Sequence, residues 1–131
     1  MHADLPLTFN PVLNPGVYVY CVAPADFALP AHDMVASFRE AEGLTVVLSE
    51  EAARRAGLTP VFRAAWITLT VNSQLEDVGL TAAFSEVLAE AGISCNVIAA
   101  VHHDHLFVPV ERGREALERL SVASPRKRTV P

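Results

Sequence analysis

Between residues 62 and 121 the chain changes its hydrophobic period in a fixed order, and that order limits the fold more than any other feature. Residues 63–71, with Trp66, Ile67 and Leu69, carry the β-branched and aromatic bias of a strand. Residues 72–79 form a polar loop. Leu80, Ala83, Phe84, Val87, Leu88 and Ala91 then fall on one helical face, and Gly92 is a stop. Residues 93–101 are apolar and alternating enough for a second strand. His102-His103-Asp104 is a turn, and 105–110 is the return strand. Glu111 opens a last helix whose inner side is Ala116, Leu117 and Leu120.

The upstream half is a degenerate version of the same order. A Pro-rich, irregular opening runs to Pro15-Gly16, and residues 17–22 read as a strand. Pro24 and Pro30 bracket a loop that ends near Asp33. Residues 35–39 and 44–48 are the arms of a hairpin turning at Gly43. Ser49 caps a short helix, with Glu50 and Glu51 at the positive end of its dipole and Ala52, Ala53 and Ala56 on its apolar side; Gly57 stops it. Residues 62–121 thus spell β-loop-α-β-β-α, a ferredoxin-like βαββαβ order without its last strand, and residues 16–58 spell β-loop-β-β-α. The expected architecture is α+β: tandem units at 1–60 and 61–121, antiparallel sheets, helices on one face, and a flexible tail at 122–131. A unit of about 60 residues buries little by itself. The units are therefore expected to share a sheet or core, and the molecule to form a homodimer. Residues 4–9 are candidates to fold back as the missing strand, confined to an edge by Pro6.

Charge and cysteine usage narrow the function. Ten Lys and Arg against fifteen Asp and Glu leave a net charge of −5, which argues against broad phosphate-backbone binding. Arg126, Lys127 and Arg128 lack an aromatic partner, so the tail reads as a solvated end rather than a nucleic-acid hook. The long uncharged stretch 5–25 contains Pro6, Pro11, Pro15 and Pro24, so it is not a membrane-spanning helix. The first basic residue is Arg39, which leaves no basic region for a signal peptide. A cytoplasmic protein is expected, with Cys21 and Cys95 as thiols. No Gly-rich phosphate loop, G-x-S-x-G elbow or paired-carboxylate arrangement occurs, so neither enzyme activity nor a cofactor is expected.

One run of residues carries a family resemblance. Val71-Asn72-Ser73-Gln74-Leu75-Glu76-Asp77-Val78-Gly79-Leu80, followed by Leu88-Ala89-Glu90-Ala91-Gly92-Ile93, resembles the ACT domain: a strand, a loop ending in an acid and a Gly-Leu pair, a helix, and "aGI" before the next strand. Glu42-Gly43-Leu44-Thr45, Ile93-Ser94-Cys95-Asn96-Val97 and His103-Asp104-His105-Leu106-Phe107-Val108-Pro109 extend the likeness to a short bacterial ACT subfamily, over roughly residues 15–121. The resemblance implies a regulatory module that binds a small molecule, most often an amino acid, between paired domains or subunits. The implied site joins Asp77, Val78, Gly79 and Leu80 of the loop to Ile93, Ser94, Cys95, Asn96 and Val97 of a neighbouring strand. The family loop often has Pro before its Gly; Val78 stands there instead.

The chemistry of these residues suits such a ligand. Free N–H groups at a helix N-terminus attract a carboxylate, and Gly79 lets it approach. Asp77 offers a partner to an α-ammonium, while Asn96 and Ser94 supply donors and acceptors. The same residues also read as a plain helix start with a solvent-facing polar strand, which would leave an oligomerising or partner-binding module with an empty pocket. A third reading takes zinc at the His102–His105 hairpin. Only alternate residues such as His103 and His105 can converge there, and two ligands need help from His2, His32 or another subunit. Trp66, Phe62 and Phe84 read as packing, and Cys21 and Cys95 as buried, inert thiols.

Overall fold

The computed structural model describes residues 8–71 and 78–123. Six strands, β1 (Pro11–Ala23), β2 (Met34–Glu40), β3 (Gly43–Ser49), β4 (Pro60–Leu69), β5 (Asn96–Ala99) and β6 (Asp104–Pro109), form one sheet in the order β2-β3-β1-β4-β6-β5. Every pairing is antiparallel. Helices α1 (Glu50–Ala56), α2 (Leu80–Glu90) and α3 (Gly113–Val122) lie on one face. Ala52 and Ala53 of α1 pack on Val19, Val46 and Leu48, while Phe84, Leu88, Ala116 and Leu120 of the other two helices pack on Ile67, Leu69 and Leu106. The fold is thus the α+β arrangement of ferredoxin-like units.

The two units interlock through β1 and β4. Residues 18–23 of β1 lie between β3 and the first half of β4 and serve the N-terminal unit. Residues 11–14 pair with 66–69 of β4 and supply the fourth strand that the C-terminal unit lacked in the sequence. That strand was expected from residues 4–9 at an edge; it comes from 11–14, the half of β1 that pairs with β4 alone. The Pro-rich opening is accordingly not irregular as far as Gly16. Pro11 is tolerated because residues 11–14 bond to β4 on one side only. Pro15 falls in the irregularity between Asn14 and Tyr18, where no ladder N–H is needed. Phe9, just upstream, is fully buried among the C-terminal core. Residues 4–7 lie outside the described residues.

Two expected boundaries shift for local reasons. The strand read at 93–101 is shorter, because Ile93 belongs to the end of α2: its N–H bonds to Leu88 O at 2.9 Å, and the Gly92 N–H to Ala89 O at 3.0 Å. This is a Schellman closure, and its apolar residue tucks back into the core. The last helix starts at Gly113 rather than Glu111, after a 3₁₀ turn over residues 110–112. Arg112 of that turn backs the same C-terminal closure of α2, donating Nη2 to Ala91 O at 3.1 Å and Nη1 to Gly92 O at 3.4 Å while Nε holds Glu115 at 2.8 Å. α3 runs to Val122, inside the expected tail; residues 124–131 lie outside the described residues.

Candidate functional site

The α2 N-terminus is the first half of the site implied by the sequence. Gly79 is its N-cap, with φ of 100°, a left-handed backbone that disfavours any side chain. Gly79 has no side chain to cap the helix, so the first-turn amides are unsatisfied by it. Val78 is 89% exposed beside it, whereas Leu80 is buried and offers only its backbone. Asp77 lies outside the described residues.

The second half lies elsewhere. Asn96 opens β5, with Phe107 of β6 opposite it and Trp66 of β4 opposite Phe107 in turn. Gly79 follows the far end of β4, beyond Leu69, and the eleven residues of α2 separate it from residue 91 by about 16 Å of helix. One chain therefore does not bring Gly79 against residues 93–97. β5 is an edge strand, open to a neighbour. Ser94 and Asn96 are exposed, Ile93 is buried, and Val97 is 37% exposed on the helix-covered side with Leu106. The expected alternation over 93–97 holds in burial, since Ile93 and Cys95 join the helix-side core and Ser94 and Asn96 are exposed, although β5 itself begins only at Asn96. Asn96 Nδ2 donates to Phe107 O at 3.3 Å. Cys95 is half-buried, and burial pushes its thiol up to about 11, which keeps it protonated and a poor nucleophile.

The helix-free face of the sheet carries a second concentration of chemistry. Phe107 is fully buried there although no described helix covers it. Its cover is aromatic: Trp66 stacks on it at 6.0 Å, Tyr20 meets it edge-on at 5.6 Å, and Tyr18 meets Trp66 edge-on at 5.0 Å. Burial, with a further contribution from the Cys95 sulfur, pushes the Tyr20 hydroxyl up to about 12. Next to the rings runs a polar chain. Asn14 Nδ2 donates to Trp66 O at 3.1 Å and to Thr68 Oγ1 at 3.0 Å. Thr68 Oγ1 lies 3.1 Å from His105 Nδ1, and Trp66 Nε1 donates to the same nitrogen at 3.0 Å.

That chain argues against His105 as a zinc ligand. Indole N–H is a donor only, so His105 Nδ1 is the acceptor and the neutral ring carries its proton on Nε2. A ring that ligates a metal needs a free lone pair on one nitrogen and donates its other N–H to an acceptor. His105 has the reverse arrangement. Among the described residues no group of three or more His, Cys, Asp or Glu side chains is placed to hold a metal ion. His103 Nδ1 is buried without a hydrogen-bond partner. Phe62 and Trp66 do act as packing, but on this face, whereas Phe84 packs beneath the helices. Asn14 and Thr68 were not singled out by the sequence. The alternation Phe62, Ala64, Trp66, Thr68 marks one face of β4, but only strand register shows what stands opposite.

Two ACT-domain family models match the chain in tandem, over residues 3–65 and 61–121. A solved Vibrio cholerae protein, described as of unknown function and a possible transport protein, is 48% identical over 88% of each chain, with a TM-score of 0.79. An Agrobacterium tumefaciens protein is 19% identical over 80% of this chain and 81% of its own, with a TM-score of 0.59. The ligand-free regulatory subunit of aspartate kinase from Thermus thermophilus shares the fold, with a TM-score of 0.60 at 11% identity over 88% of this chain and 96% of its own. None of the curated proteins compared with the chain matches it. No described helix is long and apolar enough to cross a membrane.

Proposed function

The chain belongs to the ACT-domain family, and from that premise we propose that it is a regulatory module whose ligand is a small molecule with an amino-acid head group. The observation that carries the reading is the start of α2: an exposed helix N-terminus behind a glycine with φ of 100°, open to a carboxylate. Asp77 is assigned to the ligand's ammonium group. Ser94, Asn96 and Val97 line the opposite wall. Because Gly79 and β5 lie at opposite ends of α2, that wall belongs to a second copy, and the ligand-competent form is a homodimer joined along β5 edges. Leu80, Ile93 and Cys95 contribute backbone and packing, not specificity.

Thermal denaturation of the full chain with each of the twenty amino acids at millimolar concentration tests this. A ligand present at 100 times its Kd adds about 2.7 kcal/mol, a rise of several degrees for a domain of this size. The same titration on Asn96→Ala is expected to lose most of the shift while leaving the unliganded melting point nearly unchanged. Gly79→Val is expected to abolish the shift as well. It is a poorer probe, since a β-branched residue at φ of 100° also strains the backbone.

One observation favours a second reading, an oligomerisation module without a ligand: one N–H of Asn96 Nδ2 is already engaged by Phe107 O. A stable dimer that responds to none of the twenty compounds would support that reading and remove the first.

A further inference from the structure

We propose that the helix-free face contains a proton-operated latch: uncharged His105 ties β6 to Trp66 and Thr68 of β4, and protonated His105 releases them. The latch lies away from the α2 N-terminus and does not depend on the chain binding a ligand.

The argument starts from donors and acceptors. Thr68 Oγ1 accepts from Asn14 Nδ2, which leaves its own O–H free to point at His105 Nδ1. Trp66 Nε1–H points at the same nitrogen. Two donors from β4 thus converge on one lone pair. Since Nε2 already carries a proton, an added proton can go only to Nδ1. Imidazolium has two donors and no acceptor. The Thr68 hydroxyl can rotate and accept, but the indole cannot, so Trp66 N–H is left facing an N–H. Two N–H groups facing each other repel, and the half-buried indole N–H regains a partner only by turning to water, so the ring contact opens.

The surroundings set the direction of the response. His105 is flanked by the His103 ring at 6.5 Å and by Asp104 next in the chain. β4 contributes uncharged Trp66 and Thr68, β1 uncharged Asn14, and β5 apolar Ile98 opposite it. Burial lowers the His105 pKa below the usual 6.5 and His103 lowers it further, while Asp104 raises it. A native value below the unfolded one means that the unfolded chain takes up the proton first as pH falls. The latch therefore contributes fully above pH 6.5, and its contribution is lost as pH falls through the depressed native value. Asn14 lies in the segment that completes the C-terminal unit, so opening loosens the seam between the N-terminal strand and β4.

The chain has a single tryptophan, Trp66, so the latch has its own reporter. Intrinsic fluorescence of the full chain, titrated from about pH 8 to about pH 5, is expected to show one transition with its midpoint below the ordinary imidazole value. His105→Gln keeps an oxygen acceptor for the indole and cannot titrate; it is expected to lose the transition. His103→Gln is expected to keep it and move the midpoint up. A wild-type protein silent over that range, or a His105→Gln protein that titrates like wild type, would overturn the latch. A second measurement covers a His105→Gln chain that does not fold. Nitrogen NMR of the wild-type imidazoles at neutral pH is expected to show His105 protonated at Nε2 only, with the Trp66 indole N–H signal moving in step with it on acidification. A proton on Nδ1 at neutral pH overturns the proposal.

Discussion

The N-terminal and C-terminal units have the same strand order but different roofs. In the C-terminal unit the segment after its first strand carries α2, eleven residues ending in a Schellman closure. In the N-terminal unit the equivalent segment, 24–33, is a loop set by Pro24 and Pro30 that ends in a single 3₁₀ turn at Ala31–Asp33, with Phe27 N–H bonded to Pro24 O at 2.9 Å. Phe27 and Leu29 cover the N-terminal core where a helix would have lain. Two consequences follow. The N-terminal core is built from small residues, with Ala52 and Ala53 facing Val19 and Leu48, while the C-terminal core holds Phe9, Phe84, Leu88 and Leu120. Only the C-terminal unit has a helix N-terminus where the family resemblance places a ligand. Among the described residues the C-terminal unit thus presents a helix start without a side-chain cap at Gly79, where the N-terminal unit has a loop.

If β1 and β4 make the two units one cooperative body, damage to either core will lower the same unfolding transition. The largest effect is expected from Phe84→Ala, which empties the centre of the C-terminal core and costs about 3–5 kcal/mol in urea unfolding. Two separate transitions in that variant would break the picture of interlocked units. A smaller loss, about 1–3 kcal/mol, is expected from Gly113→Ala. α3 approaches β4 so closely there that a new Cβ would stand 2.6 Å from the Ala65 Cβ, and neither group can swing aside. Tolerance of that alanine would show that α3 is free to shift over the sheet. The smallest effect belongs to the weaker roof: Ser49→Ala removes the cap that Ser49 Oγ provides to the Ala52 N–H, at about 1 kcal/mol. A loss as large as that of Phe84→Ala would reverse the ranking of the two cores.

Much of this fold was legible in the chain because its signals are local. Ser49 before Glu50 and Glu51, the apolar face from Leu80 to Leu88, and Gly92 as a stop depend only on neighbours in sequence, and each lies where the pattern placed it. Reading failed where one residue could serve two neighbours. Ile93 continues an apolar run and so looks like a strand; its N–H is taken instead by Leu88 O. Pro11 and Pro15 look like breakers; they sit where the ladder is one-sided or irregular. The candidate site was half legible. Gly79 announces itself by type, whereas its distance from Asn96 depends on where α2 carries the chain.

The sequence by itself determined the order of most elements, the cap of α1, the stops of α1 and α2, and the family. Period, capping chemistry and proline placement act over a few residues, so they survive without a partner. Tertiary structure alone decided that residues 11–14 complete the second unit and that Gly79 and β5 face apart. It also decided that Asn14, Thr68, Trp66 and His105 share one hydrogen-bonded chain. Those facts rest on strand register and sheet order, which are set by the burial of two cores at once and are written in no single stretch of residues.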